Sequence, residues 1–113
     1  MSSGGQVILV GSDFLGRGDQ RLGSALVVQF FRALGKREEP PGTIIFMNSG
    51  VRLLTEGSVA LTLLQELEAR GVSIIACRTS VQHFDLEDKI EVGDSAPMAD
   101  LIETLLSGTV VSL

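Results

Sequence analysis

Three features of the sequence predict a three-layer α/β/α sandwich built on a parallel sheet of about five strands. Short β-branched runs alternate with helix-length segments that carry apolar residues at three- and four-residue spacing. The connections between them are short and rich in glycine, which favours right-handed crossovers from one parallel strand to the next. The run Val72-Ser73-Ile74-Ile75-Ala76-Cys77 is short, apolar and closed by polar residues, as a strand buried on both faces should be. The chain has 113 residues, enough for one domain with a single core. Residues 1–113 are therefore read as one unit.

The elements follow in order. Gln6 to Val10 forms the first strand and ends at Gly11. A loop with three glycines, Gly11-Ser12-Asp13-Phe14-Leu15-Gly16-Arg17-Gly18, leads to Asp19. Asp19 is a suitable N-cap for a helix that runs to about Leu34 and stops at Gly35. Its expected core stripe is Leu22, Ala25, Leu26 and Phe30. Lys36 to Gly42 is charged, holds Pro40 and Pro41, and reads as a loop. Thr43 to Met47 is the second strand. The turn Asn48-Ser49-Gly50 leads through Val51 to Leu54 into a second helix ending at Arg70, with Ala60, Leu63, Leu64 and Leu67 as its buried stripe. The third strand ends at Cys77, and Ser80 is an expected N-cap for a short helix. Lys89 to Val92 is read as a short fourth strand. Ser95, two residues before Pro97, is the expected cap of the last helix. Met98, Leu101, Ile102 and Leu105 supply that helix's apolar face, Gly108 ends it, and Thr109 to Leu113 closes the sheet.

Composition excludes several classes. Hydrophobic residues make up 44% of the chain and the mean hydropathy is +0.33. No apolar run approaches the roughly 20 residues of a membrane helix, so the apolar excess points to buried contacts between subunits. Val27, Val28, Phe31 and Leu34 spread around the first helix reinforce the expectation of a homo-oligomer. The formal net charge of −5 argues against nucleic acid, whose phosphates need a basic face. The N-terminal Met-Ser-Ser-Gly-Gly lacks the pattern of a signal peptide, so a cytoplasmic location is expected. One cysteine and one histidine rule out a disulfide framework and give little from which to build a metal site.

Chemistry is expected at the carboxyl edge of the sheet, where ligands collect in open α/β folds. Cys77 ends the third strand there. A helix start and the guanidinium of Arg78 would both stabilise an anionic sulfur, and Thr79 and Ser80 add hydroxyls. Free cysteines are also among the most buried residues, so a packing role for Cys77 stands beside the reactive one. The loop Asn48-Ser49-Gly50, with Arg52 beyond it, should share this edge. A turn with a solvated arginine and a cation for an anionic sulfur group are the two readings of that segment. Ser12 and Asp13 of the glycine loop face the same edge. His83, six residues past Cys77, is either a proton partner or a surface residue.

Other motifs fail on particular residues. Gly11, four residues, Gly16 and a basic residue match the spacing of a phosphate-binding loop. Arg17 stands where lysine is required, Gly18 replaces the Mg²⁺-binding hydroxyl, and Asp13 puts a negative charge in the cradle, all of which argues against nucleotide hydrolysis. A receiver-type phosphorylation domain needs an aspartate ending the third strand, and this strand ends in cysteine. A thioredoxin-like role needs Cys-x-x-Cys. No cofactor is expected.

Three runs carry a resemblance over nearly the whole chain: GSDFLGRGDQRLG, TIIFMNSGVRLLTEGS and GVSIIACRTSVQHFDLEDKIEVGDSAPM. They resemble the DsrE/DsrF-like family, and most of all the DsrE-like C-terminal domain of YedF-type selenium-metabolism proteins. The resemblance implies a parallel α/β/α fold, assembly as a trimer or hexamer, and sulfur (or selenium) relay on a cysteine near the end of the third strand. Cys77 matches that cysteine by order along the chain. YedF-type domains usually read Cys-Gly-Thr-Cys where this chain has Cys77-Arg78-Thr79-Ser80, so the second thiol is missing. One thiolate still suffices for persulfide carriage, because the partner brings the other sulfur. The family also implies a TusA-like sulfur-carrier partner. A non-catalytic oligomeric module on the same fold is the alternative.

Overall fold

A computed structural model of the chain describes residues 5–113. The five strands are β1 (Gln6–Val10), β2 (Thr43–Phe46), β3 (Ser73–Cys77), β4 (Asp94–Ala96) and β5 (Thr109–Ser112). The helices are α1 (Gln20–Gly35), α2 (Leu61–Ala69), α3 (Arg78–His83) and α4 (Met98–Ser107). A 3-10 helix spans Asn48–Leu54. All strand pairs are parallel, in the order β4-β3-β2-β1-β5. The fold is the expected three-layer α/β/α sandwich.

Strand alternation divides the core in two. Ile8, Val10, Ile44, Phe46, Ile74 and Ala76 point to one face, packed with Val27 and Phe31 of α1, Leu64 and Leu67 of α2, and Val81 of α3. Val7, Ile45 and Cys77 point to the other, where Leu101 of α4 covers them and Leu105 packs alongside. The direction of the crossovers explains the split. The steps β1 to β2, β2 to β3 and β3 to β4 all move one way across the sheet, so right-handed connections leave their helices on one side. The step from β4 back to β5 moves the other way and carries α4 to the opposite side.

Several sequence expectations need correction. The core stripe of α1 is Gly23, Val27 and Phe31, whereas Leu22 and Ala25 are exposed. The glycine loop sets this rotation: the Leu15 N–H donates to the Gly23 carbonyl at 3.0 Å, and a Cβ on Gly23 would lie 2.9 Å from Phe14 Cβ. Only glycine allows that approach. The N-cap expectation for Asp19 holds, with its Oδ1 accepting from the Leu22 N–H at 2.9 Å.

The segment after β2 is two pieces rather than one helix. The 3-10 turn Asn48–Leu54 buries Gly50, Val51, Leu53 and Leu54, and residues 55–60 separate it from α2. Ala60 at the N-cap of α2 is buried as expected, as are Leu64 and Leu67 within it, and Leu63 is half-buried. The fourth strand is Asp94–Ala96, not residues 89–92. Ile90 forms only an isolated antiparallel bridge with Thr55, the Glu91 N–H donates to the Leu54 carbonyl at 2.8 Å, and Val92 is buried. Gly93, at φ +77° and pressed against the Ile74 carbonyl, then turns the chain into the sheet. Ser95 therefore lies within β4, and Pro97 occupies the N-cap position of α4. Ser80 is likewise inside α3, whose N-cap is Cys77.

Candidate functional site

The carboxyl edge is organised by three loops that bind one another. The Met47 N–H donates to the Val10 carbonyl at 2.9 Å, which draws the end of β2 against the end of β1. Asn48 then takes a left-handed backbone conformation, φ 51°, a region that asparagine tolerates better than most residues. That turn aims the Asn48 N–H at Ser80 Oγ, 2.8 Å away. Ser49 Oγ accepts from the Asp13 N–H at 3.3 Å, and Ser12 Oγ accepts from the Phe14 N–H at 3.2 Å. Gly50 sits beneath, where a Cβ would lie 2.6 Å from the Val10 carbonyl oxygen. The structure thus brings Ser12, Asp13, Asn48, Ser49, Gly50 and Ser80 together along one edge.

Cys77 lies at this edge but faces the α4 side. It is 4% exposed and belongs to the apolar cluster of Val7, Ile45 and Leu101, with Ala96 and Leu105 beside it. It is the final residue of β3, paired in register with Ala96 of β4. The chain leaving Cys77 enters α3 on one face of the sheet, and the chain leaving Ala96 enters α4 on the other. Adjacent strands whose exits diverge in this way mark the edge at which open α/β sheets recurrently bind ligands, although here Leu101 and Leu105 pack over the cysteine.

The remaining sequence candidates are spread around that edge. Thr79 and Ser80 line a concavity of about 280 Å³ with Asn48, His83 and Phe84. Arg78 is exposed and lines a separate concavity of about 240 Å³ with Glu87, Asp94 and Ser95. Cys77 lines neither. Arg52 does not reach the sulfur: its guanidinium carbon lies over the Phe84 ring, 4.4 Å from the centroid, a cation–π contact. Phe84 in turn meets His83 edge to face, with centroids 5.0 Å apart. No group of three or more metal-ligating side chains is found among the described residues.

Sequence reasoning missed Phe84, which holds both Arg52 and His83, and the cover over Cys77. The signal for the cover was present in the spacing of Leu101 and Leu105. What it lacked was the face of the sheet on which α4 lands.

No family model matches the chain, and no curated protein matches it in sequence. Its architecture recurs in solved structures. It is similar to MTH1491 of Methanobacterium thermoautotrophicum, a protein of unknown function, with a TM-score of 0.68 at 16% identity, covering 96% of this chain and 97% of that one. The ychN protein of E. coli gives a TM-score of 0.67 at 14% identity, covering 100% of both chains. BT1422 of Bacteroides thetaiotaomicron, also of unknown function, gives 0.69 at 17% identity, covering 100% of this chain and 98% of that one. At such identities the likeness defines the fold alone. The chain is a small α/β/α protein with the fold of these three, and no helix among its described residues is long and apolar enough to cross a membrane.

Proposed function

We propose that this chain is a DsrE-like sulfur (or selenium) relay protein in which Cys77 carries sulfane sulfur as a persulfide. The observation that supports this best is the position of Cys77, the last residue of β3, at the carboxyl edge between two strands whose chains leave toward opposite faces of the sheet. In the reaction, the Cys77 thiolate attacks the outer sulfur of a donor persulfide. A new S–S bond forms on Cys77, the donor's S–S bond breaks, and its electron pair leaves on the donor thiolate. A second exchange onto an acceptor thiolate returns Cys77 to its starting state, so the cycle needs no oxidant or reductant. With Ser80 in place of a second thiol, the acceptor is external. A TusA-like sulfur-carrier protein is the partner that the family resemblance offers.

Both exchanges require a partner sulfur to reach a side chain that is 4% exposed. Leu101 and Leu105 of α4 must therefore shift during transfer. The same burial favours a second reading, a non-catalytic oligomeric module in which Cys77 only packs. Either reading involves self-association, most simply as the trimer or hexamer of the resembling family. The supporting surface is the outer side of α4: Met98, Ile102 and Leu106 recur every fourth residue at 50%, 47% and 80% exposure, next to Val110 of β5 at 39%. This replaces α1 as the expected contact, because Val27 and Phe31 are spent on the core.

The deciding experiment treats the folded protein with glutathione persulfide and follows its intact mass. The relay reading expects wild type to gain one sulfur atom, Cys77→Ala to gain none, and added thiol to remove the gain. If the folded protein gains no sulfur and does so only after unfolding, the relay reading is lost and the packing role remains.

A further inference from the structure

We propose that α4 packs beside the α4 of a second copy of this chain, so that the two helices fill one layer between the two sheets. The proposal rests on the self-association put forward above and not on the chemistry of Cys77.

The two faces of the sheet are covered unequally. Among the described residues, α1, α2 and α3 pack on one face and α4 alone on the other. Five strands about 4.8 Å apart present a face about 20 Å wide, and a helix with its side chains is about 10 Å across. One helix therefore covers about half of it. A single register pair shows where the cover stops. Val7 of β1 and Val110 of β5 are partners on the α4 face, yet Val7 is 2% exposed and Val110 39%. The uncovered half lies over β5, and Leu9 of β1 on the same face is only half-buried.

The flank of α4 that borders this gap is apolar. Successive residues turn by about 100° around a helix. Leu101 points at the sheet, so Ile102 points about a quarter-turn away from it. The connection from β4 through α4 to β5 is a right-handed crossover, which directs that quarter-turn toward β5. Met98 and Ile102 thus face the gap, and Leu106, the most exposed of the three at 80%, lies further round and away from its own sheet. The opposite flank carries Asp100, Thr104 and Ser107.

A second α4 fits the gap. Leu101 packs among Val7, Ile45 and Cys77, which centres α4 over β2. Packed helices lie about 8–10 Å apart, about two strand spacings, so a helix beside α4 rests over β5. A two-fold axis parallel to the helices achieves this for both copies at once. Each α4 covers the partner's β5, and each apolar stripe meets itself in an isologous contact. The two acidic residues of the helix, Asp100 and Glu103, lie off the stripe, so like charges are not pressed together. Leu106 turns toward the partner's sheet, a cover that a lone foreign helix in the gap would not give. This contact makes a dimer by itself and a hexamer where it joins two trimers.

The test is cross-linking of the full chain, carrying one added cysteine, with a short bismaleimide at micromolar concentration. Ile102→Cys and Leu106→Cys should each link two copies, because a parallel pair sets every stripe residue against itself. Asp100→Cys, on the other flank, should not. The unsubstituted chain, whose Cys77 is buried, controls for the native thiol. Circular dichroism checks that each variant folds, and if Ile102→Cys does not, Leu106→Cys decides alone. Sedimentation separates the two ways of failing. A chain found only at 12.0 kDa overturns self-association and this contact together. An oligomer in which the stripe variants link no better than Asp100→Cys overturns this contact alone. Linking by Ile102→Cys without linking by folded Leu106→Cys would mean an antiparallel pair and also overturns it.

Discussion

The backbone N–H of Asn48 donates to Ser80 Oγ across 2.8 Å, joining the exit of β2 to the first turn of α3. Thirty-two positions of sequence separate the two residues. The bond holds the segment that follows Cys77 in place against the neighbouring loop. Ser80→Ala leaves the Asn48 N–H without this acceptor and should cost about 1 kcal/mol. Urea unfolding measures the loss, and faster amide exchange at Asn48 locates it. Unchanged exchange there would mean that the bond does not form in solution.

Gly50→Ala should be worse, although it adds only one methyl group. The new Cβ would stand 2.6 Å from the Val10 carbonyl oxygen, so the β1 and β2 exits must separate. Overpacking of this kind costs about 1–3 kcal/mol. Gly35→Ala, where a Cβ meets nothing within 4 Å, is the control and should leave the urea midpoint nearly unchanged or raise it. Equal effects at the two sites would contradict the close approach of the loops.

Cys77→Ser tests packing rather than chemistry. The side chain sits among Val7, Ile45 and Leu101, so a hydroxyl there is desolvated with an apolar surround. A loss of about 1–3 kcal/mol is expected, larger than the near-neutral change anticipated for a thiol exposed at a sheet edge. A neutral result in urea unfolding would show that the α4 cover opens readily over this position.

Leu106→Glu probes self-association. Leu106 is 80% exposed, so a charge there should leave the fold intact and break contacts between copies. Sedimentation at micromolar concentration should show wild type well above 12.0 kDa and the variant shifted toward that mass. A wild type that sediments only as the monomer would remove the basis for an interface on α4.

Much of the fold was legible in local chemistry. The β-branched runs at Val7–Val10, Ile44–Phe46 and Ile74–Cys77 became β1, β2 and β3, and Asp19 capped α1 with its own carboxylate. The glycine loop, the turn at Asn48 and the end of the cysteine strand were correctly expected to share an edge, because parallel strands place all their exits on one side. Helix faces were less legible. From Ala25 onward α1 carries apolar residues on more than one side, and the choice of Gly23, Val27 and Phe31 came from Phe14 Cβ and the Leu15 backbone packing onto Gly23.

The sequence by itself determined the class of fold, the first three strands and the presence of a single thiol at the end of a central strand. Tertiary structure alone decided which way that thiol points. Alternation along β3 places Cys77 opposite Ala76, but it does not say which helix covers which face. That depends on the order β4-β3-β2-β1-β5, in which the last crossover runs backwards and lays α4 over Cys77. Strand order is set by contacts between residues distant in the chain, and no local pattern of residues encodes it.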